Sequence, residues 1–408
     1  MISLTNEQRL LLDLLAGEIS AQQRSYSEQQ LRDIDWDALL REAKAQAVPL
    51  MAAEALQPYK RHIPDYTPWK MAIAGATTAN IPTAYAEQEL GVLMGERPFF
   101  ILKGMAAAAY YPHPQQRMLG DVDFLIDPSQ QKEITHLLEQ HGYQNWHVDH
   151  ICHVVFRKGN AHLEMHFEIA GIPYGAPGER VRTFMQNAVQ HRHTASFDGW
   201  TFPAPDDMYH GVVILLHMQH HMLGEGLGLR HLCDWACYLQ QTHEDAFWEP
   251  LLALFADIGL LCYAKVITKT CARYLGCVCP TWAEDADEVL CDDVMNDVLT
   301  GGNFGRKDDA RAKSGMMISD HGKTGTRRGK VANLFTTLHQ STAARYPAVR
   351  KCPLLYPFLD GWRVMLYLGR TVTGKRTSLR KMMPLAQQRK SVYDRLHIFE
   401  IQEEEQKP

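Results

Sequence analysis

No stretch of this 408-residue chain approaches the roughly 18 uninterrupted apolar residues that a membrane-spanning helix needs. Its first residues, MISLTNEQRLLLDLL, lack the basic region and small-residue cleavage site of a secretory signal and read instead as a capped amphipathic helix. Cys277 and Cys279, in GCVCP, have no second cysteine pair at finger-like spacing, which argues against a zinc site. The nine cysteines are odd in number and fall in apolar segments such as LCDWACYL, a pattern that suits reduced, buried thiols in a cytoplasmic protein. HGKTG (321–325) lacks the rest of a phosphate-binding loop: Met317 stands where the first glycine is required, and no apolar strand precedes it. There is no internal repeat.

What is present is an ordinary globular composition, 46% hydrophobic and 22% charged, at a length that suits two or three domains. The net charge of −5 conceals an asymmetry: residues 1–300 carry −17, whereas residues 301–400 carry 20 Lys and Arg against 6 Asp and Glu, or +14. A basic C-terminal quarter on an acidic body implies an anionic partner, a membrane surface or RNA, or else docking onto that body. The segment CPLLYPFLDGWRVMLYLGRTVTGKR mixes aromatics, aliphatics and cations, as a helix lying on an anionic inner-membrane surface would, or a terminal helix packed on the body.

Residues 1–95 read as helical, with Thr5 and Gln8 forming a capping box and DWDALLREAKAQAVPLMAAEAL carrying apolar residues at 3–4 spacing. Residues 96–203 change texture. PFFILKG (98–104) is strand-like and ends in glycine, MAAAAYY suits a helix packed closely on a sheet, and DVDFLID is a second strand, after which Pro128 opens a helix. HVVFRKG and AHLEMHFEIA then form a hairpin around Lys158-Gly159-Asn160, with Leu163, Met165 and Phe167 on one face and Glu164, His166 and Glu168 on the other. Residues 204–300 return to helix and would close a cleft over the sheet. Residues 301–330 read as a flexible basic loop and 331–408 as a basic helical region.

RMLGDVDFLID (117–127) poses the chemical question. Asp121 and Asp123 point the same way from an apolar strand, where paired carboxylates repel and need a cation or a hydrogen-bond network. A third carboxylate on a neighbouring strand, Glu164 between Leu163 and Met165, would complete a two-metal phosphoryl-transfer centre. The plainer alternative is a pair of aspartates capping a turn at a strand edge.

The order of these elements resembles the nucleotidyltransferase (DNA polymerase β-like) fold. The run FFILKGMAAAAYYPHPQQRMLGDVDFLIDP more closely resembles the bacterial "uncharacterised nucleotidyltransferase" family. The matching elements are Leu102-Lys103-Gly104, Tyr111-Pro112, Arg117, Gly120-Asp121-Val122-Asp123 and Glu164-Met165-His166. The likeness extends to GLGLRHLCDWACYL (226–239) and YPAVRKCPLLYPF. It implies an α+β protein, a small mixed sheet flanked by helical N- and C-terminal regions, that transfers a nucleoside monophosphate, AMP from ATP foremost, with Mg²⁺ or Mn²⁺.

By that resemblance Asp121, Asp123 and Glu164 hold the metals, and Glu164 takes the proton of an acceptor hydroxyl. Gly104 lets the backbone approach the triphosphate, Lys103 or Arg117 neutralises it, and Gly120 starts the strand tightly. The wider superfamily has Gly-Ser where this chain has Lys-Gly-Met, so the phosphate grip must differ.

His166 either orients Glu164, contacts substrate, or is a satisfied sheet histidine. Arg230 and Asp234, four apart on a helix, most simply pair with each other, and otherwise line the cleft. The groups His147, His150, His153 and His217, His220, His221 show no carboxylate or cysteine partner for metal binding; His217 and His221 are candidates for lining the acceptor pocket. Two other functions stay open: a toxin-type nucleotidyltransferase acting on tRNA or protein, and a non-catalytic binding protein. The intact acidic set argues against the second.

Overall fold

The computed structural model describes residues 2–147, 152–173, 175–241, 244–308, 355–372 and 379–398, with 342 and 346 as isolated positions. The HGKTG segment, His150 and most of residues 309–354 lie outside the described residues.

The N-terminal helices are α1 (Asn6–Ile19), α2 (Glu28–Arg32), α3 (Trp36–Ala45), α4 (Pro49–Ala55) and the long α5 (Thr67–Met94). Thr5 and Gln8 form the expected box at the head of α1: Thr5 Oγ1 accepts from the Gln8 amide at 3.2 Å, and Gln8 Oε1 accepts from the Thr5 amide at 3.1 Å. The apolar spacing that runs through DWDALLREAKAQAVPLMAAEAL conceals a break. Ala47 takes a left-handed φ of 57° and Pro49 opens a new helix, so the segment folds into α3 and α4.

The sheet has five strands, β1 (Phe99–Ile101), β2 (Val122–Ile126), β3 (Gln144–His147), β4 (His153–Lys158) and β5 (Ala161–His166), in the order β1-β2-β5-β4-β3. The β2–β5 pair is parallel and the other pairs are antiparallel. Between β1 and β2 lies the one-turn helix α6 (Met105–Ala108), and α7 (Gln131–Gln140) follows β2 after a 3₁₀ turn begun by Pro128.

After α8 (Ala176–Met185) comes a separate hairpin, β6 (Arg192–Phe197) and β7 (Trp200–Pro205), whose reversal uses Asp198 and Gly199 at φ 49° and 83°. That is the Asp-Gly signature of a tight turn. Helices α9 (Asp207–Leu223), α10 (Leu229–Gln240), α11 (Asp245–Asp257), α12 (Leu261–Leu275) and α13 (Glu288–Gly301) follow, then α14 (Tyr356–Val372) and α15 (Leu379–Arg395). Among the described residues no helix is long and apolar enough to cross a membrane.

Two apolar cores organise these elements. One joins the helices of residues 1–63 to α9, α10, α12 and α13, with Cys233, Cys237 and Cys271 fully buried as thiols. The other fills the sheet with Phe124, Phe156, Leu163 and Met165, and is covered by Ala86, Leu90 and Met94 of α5 and by Phe197 and Phe202 of the hairpin. Helix α5 belongs to both, since its first turns hold Trp69 in the helical core. His210 of α9 bonds the Leu102 carbonyl and Arg117 donates to Asp234 of α10, so the helical core and the sheet region are tied to each other.

Helix α15 docks on the body. Arg389, fully buried, donates to the carbonyls of Met222 at 2.8 Å and Gly224 at 3.2 Å, where α9 ends. A guanidinium there satisfies carbonyls that the helix itself leaves without partners and opposes the negative end of its dipole. Arg395 pairs with Asp293 of α13. Of the two readings of the basic quarter, docking therefore accounts for α15. Helix α14 instead exposes Phe358, Trp362 and Met365.

Candidate active site

Parallel pairing of β2 with β5 sets Asp123 opposite Glu164, one ladder position after Val122 opposite Leu163. Since side chains alternate across a sheet, Val122 and Leu163 enter the core while both carboxylates emerge on the other face, joined by His166 two residues on. The oxygens of Asp123 and Glu164 and a ring nitrogen of His166 lie within 4.8 Å of one another.

Asp123 is the centre of the group and is only 5% exposed. Its Oδ1 receives Lys103 Nζ at 2.8 Å and His166 Nε2 at 3.1 Å. Burial opposes its charge, but the Lys103 ammonium and the His166 hydrogen bond hold its carboxyl below the usual range. His166 also approaches Glu164 Oε2, at 3.5 Å, and its Nδ1 lies 3.3 Å from the Glu168 carbonyl. Burial works against a charged imidazole, yet the hydrogen bond to Asp123 and those to Cys152 and Glu164 push its pKa up to about 10. His166 therefore bridges the two carboxylates.

Asp121 stands just before β2, with a half-exposed side chain whose nearest ring is His162, at 3.9 Å. It does not join the tight group. Partial burial, then the charges of Asp123 and Glu164, raise its pKa above the ordinary value, the signature of like charges crowded together.

The fit to a divalent cation follows from this electrostatics. Three carboxylates offer the oxygen ligands that Mg²⁺ or Mn²⁺ takes, and Asp121 carries repulsion that such a cation would relieve. Lys103 Nζ already supplies positive charge at Asp123, and His166 adds a hydrogen bond.

The turn that carries Lys103 is built by Gly104. Its φ of 60° with ψ of −115° lies where a side chain is strained, and it lets the chain leave β1 directly into α6. The Leu102 amide donates to the Asp123 carbonyl at 2.8 Å, clamping that turn to β2. Behind it, His210 of α9 bridges the Leu102 carbonyl at 3.2 Å and the Tyr110 hydroxyl at 2.9 Å.

The approach to Asp121 is held from α5, a contact that sequence reading did not find. Asn80 donates to the Arg117 carbonyl at 3.1 Å and accepts from the Leu119 amide at 2.8 Å, and Thr83 donates to the Gly120 carbonyl at 2.7 Å. No motif marks Asn80 or Thr83; polar residues on the sheet-facing side of an otherwise apolar helix were the available signal.

Arg117 does not face a phosphate here. Its guanidinium is 5% exposed and grips Asp234 of α10 with two bonds of 2.7 Å, and Tyr111 donates to the same carboxylate at 2.6 Å. The expected Arg230–Asp234 pair within α10 is therefore overturned, because a partner 117 positions back along the chain takes both oxygens. Arg230 lies over Phe304, 5.4 Å from the ring centroid, with a long contact of 3.4 Å to the Met118 carbonyl.

Of the histidine groups, His153 reaches Glu164 Oε2 at 4.0 Å and packs on the His166 ring at 4.8 Å between centroids. His217 and His221 are joined by His231 of α10, which sequence reading passed over although it adjoins Arg230. Glu87 of α5 was also missed. It is 3% exposed, neither of its carboxyl oxygens has a hydrogen-bond partner among the described residues, and it borders a cavity of about 530 Å³ between α5 and the β6–β7 hairpin.

The fold thus brings together Asp123 and Glu164 on a parallel strand pair, Asp121 just before it and a glycine turn carrying Lys103. A model of the family described as uncharacterised nucleotidyltransferase matches residues 32–276, well over half of the chain. The chain belongs to this family. This nucleotidyltransferase matches no curated protein and no solved structure. The matched span takes in α3 to α12, so it includes the carboxylates, the Asn80 contact and the Arg117–Asp234 fork, and it leaves out α13 to α15.

Proposed function

We propose that the protein transfers a nucleoside monophosphate, AMP from ATP in the first instance, to a hydroxyl of a small molecule, sugar or protein. The observation that carries this reading is the parallel register that sets Glu164 beside Asp123, with Asp121 adjoining. Asp123, Glu164 and Asp121 would hold Mg²⁺ or Mn²⁺, with His166 fixing the two inner carboxylates. A divalent cation there supplies charge neutralisation to the triphosphate and to the departing pyrophosphate.

The acceptor oxygen forms its bond to the α-phosphorus while the bond from that phosphorus to the bridging oxygen of the β-phosphate breaks. Pyrophosphate leaves with the electron pair. Glu164, more open to solvent than Asp123, receives the acceptor's proton. Lys103 sits on the turn after β1, where it can exchange its hold on Asp123 for a phosphate oxygen.

The test is pyrophosphate release from labelled NTPs with Mg²⁺ and candidate acceptors. Asp123→Asn and Glu164→Gln should each lower the rate at least a hundredfold and weaken Mn²⁺ binding measured by electron paramagnetic resonance. Wild-type Mn²⁺ affinity in both variants would refute the metal assignment.

For the basic C-terminal region we favour an anionic membrane surface over RNA, placing the enzyme in the cytoplasm at that surface. The support is the row of Phe358, Trp362 and Met365 exposed on α14, since apolar anchors beside cations suit a lipid interface. Flotation with vesicles containing anionic lipid should carry the protein, and Trp362→Ala should reduce it. Binding to tRNA with no vesicle binding would reverse the choice.

A further inference from the structure

Four polar groups, Arg230, His217, His221 and His231, have no role in the transfer step above. The rings of His217, His221 and His231 cluster, with centroids 4.3 Å apart for His217–His221 and 5.2 Å for His221–His231, and their ligand atoms lie within 4.8 Å of one another. Phe304 closes one side, 4.7 Å from the His221 ring and 5.2 Å from that of His231. Arg230 lies over the same Phe304 and reaches toward β2: a Cβ placed on Gly120 would stand 4.0 Å from its Nη1.

Three of these groups present buried nitrogens without hydrogen-bond partners among the described residues: His217 Nδ1, His231 Nε2 and Arg230 Nε. The His231 ring itself is 2% exposed. Buried polar atoms in folded proteins nearly always have a hydrogen-bond partner, so a cluster of unpartnered ones calls for a ligand.

A metal ion is the first candidate for three histidines, but the tautomer argues against it. The Gly228 amide donates to His231 Nδ1 at 3.2 Å, so that nitrogen offers its lone pair and the proton of the neutral ring sits on Nε2. The unpartnered nitrogen of His231 is thus a donor and has no lone pair for a cation. Burial first, and then the positive charge of Lys103 on all three rings and of Arg230 on His221 and His231, disfavours further positive charge here, and those cations would also repel a metal ion. Donors and positive potential together select an anion with several acceptor oxygens.

We propose that Arg230, His231 and His217, with Lys103, form a pocket for a phosphoryl group beside the carboxylate centre. This deepens the nucleotidyltransferase reading and rests on it for the identity of the ligand. Two sources share the chemistry, the terminal phosphates of the donor nucleotide and a phosphate carried by the acceptor. Such a pocket would supply the phosphate grip that the superfamily's serine provides and that Lys103-Gly104-Met105 lacks.

The experiment is calorimetric titration of the full chain with inorganic pyrophosphate in metal-free buffer, so that its outcome does not depend on turnover. Arg230→Gln and His231→Asn should each weaken pyrophosphate at least tenfold while leaving Mn²⁺ binding at the carboxylates unchanged. Wild-type pyrophosphate affinity in both variants, or stoichiometric Zn²⁺ binding abolished by His231→Asn, would overturn the pocket. Competition assigns the source: a non-hydrolysable ATP analogue displaces pyrophosphate if the donor's phosphates fill the pocket and leaves it bound if the acceptor's phosphate does. Pyrophosphate binding without any NTP turnover would uphold the pocket and count against the transfer reaction instead.

Discussion

Replacing Arg117 with methionine separates two roles for that guanidinium by what each would cost. In the structure it is enclosed, bonded twice to Asp234 at 2.7 Å, with Tyr111 completing the carboxylate at 2.6 Å. Burial disfavours its charge and the Asp234 carboxylate more than restores it, so the fork is a buried ion pair whose two members depend on each other. Removing one partner strands the other, at a cost of about 3–5 kcal/mol.

At about 1.2 °C of melting temperature per kcal/mol for a chain of 408 residues, Arg117→Met should melt roughly 4–6 °C below the wild type. Removing the whole polar unit should behave differently. Arg117→Met with Asp234→Leu and Tyr111→Phe leaves no unpaired group and should recover most of the loss, because a buried pair replaced by apolar side chains is often near neutral. Urea unfolding followed by circular dichroism gives the free energies, and pyrophosphate release at a temperature where all variants are folded gives the kinetics. A variant that keeps its melting temperature within a degree or two while its KM for NTP climbs tenfold would refute the argument. Arg117 would then be a phosphate ligand, as its position in the motif first implied.

Three other outcomes are expected. Asn80→Ala removes two hydrogen bonds from the Arg117–Leu119 backbone and should cost about 2 kcal/mol, with kcat falling more than Mn²⁺ affinity because the loop before Asp121 loosens. His210 is fully buried and its pKa is pushed down to about 3, chiefly by burial, so its contribution is present above pH 6.5 and is lost as pH falls toward 3. His210→Gln should therefore flatten the stability profile between pH 6.5 and 4.5, where one proton contributes about 1.4 kcal/mol per pH unit. Glu87 is raised well above the ordinary range by burial and has no hydrogen-bond partner among the described residues, so its ionisation opposes folding as pH rises; Glu87→Leu should be the more stable protein, by about 1–3 kcal/mol at pH 8 in thermal unfolding.

The parts of the fold that could be read from the chain were those with a local cause. Alternation in Leu163-Glu164-Met165-His166 and the apolar frame around Asp123 follow from the two-residue period of a strand, and β5 and β2 form where that period runs. The Thr5–Gln8 box is equally local. The β6–β7 hairpin was legible in principle, since Asp198-Gly199 lies between alternating runs, yet the prolines and glycine around it obscured the pattern. The partner of Asp234 was not legible at all. Spacing of four pointed to Arg230, whereas the true partner arrives through packing of the Arg117 loop on α10, and no one-dimensional pattern encodes that contact. The same holds for His231 and Phe304, which reach the His217 cluster only when α10 and the segment after α13 close on α9.

The docking of Arg389 at the end of α9 bears on how the basic C-terminal quarter can be studied. Helix α9 carries His210, behind the Lys103 turn, and His217 and His221, and its last carbonyls are held by a side chain more than 160 positions further along. Cutting the chain before α15 would take that counter-charge away and leave the carbonyls of Met222 and Gly224 to find water. A shortened protein would then change its cleft and its surface charge in one step, and a lost activity would be credited to the wrong cause. Reversing individual exposed cations while sparing Arg389 keeps α9 anchored and confines the perturbation to the surface under test.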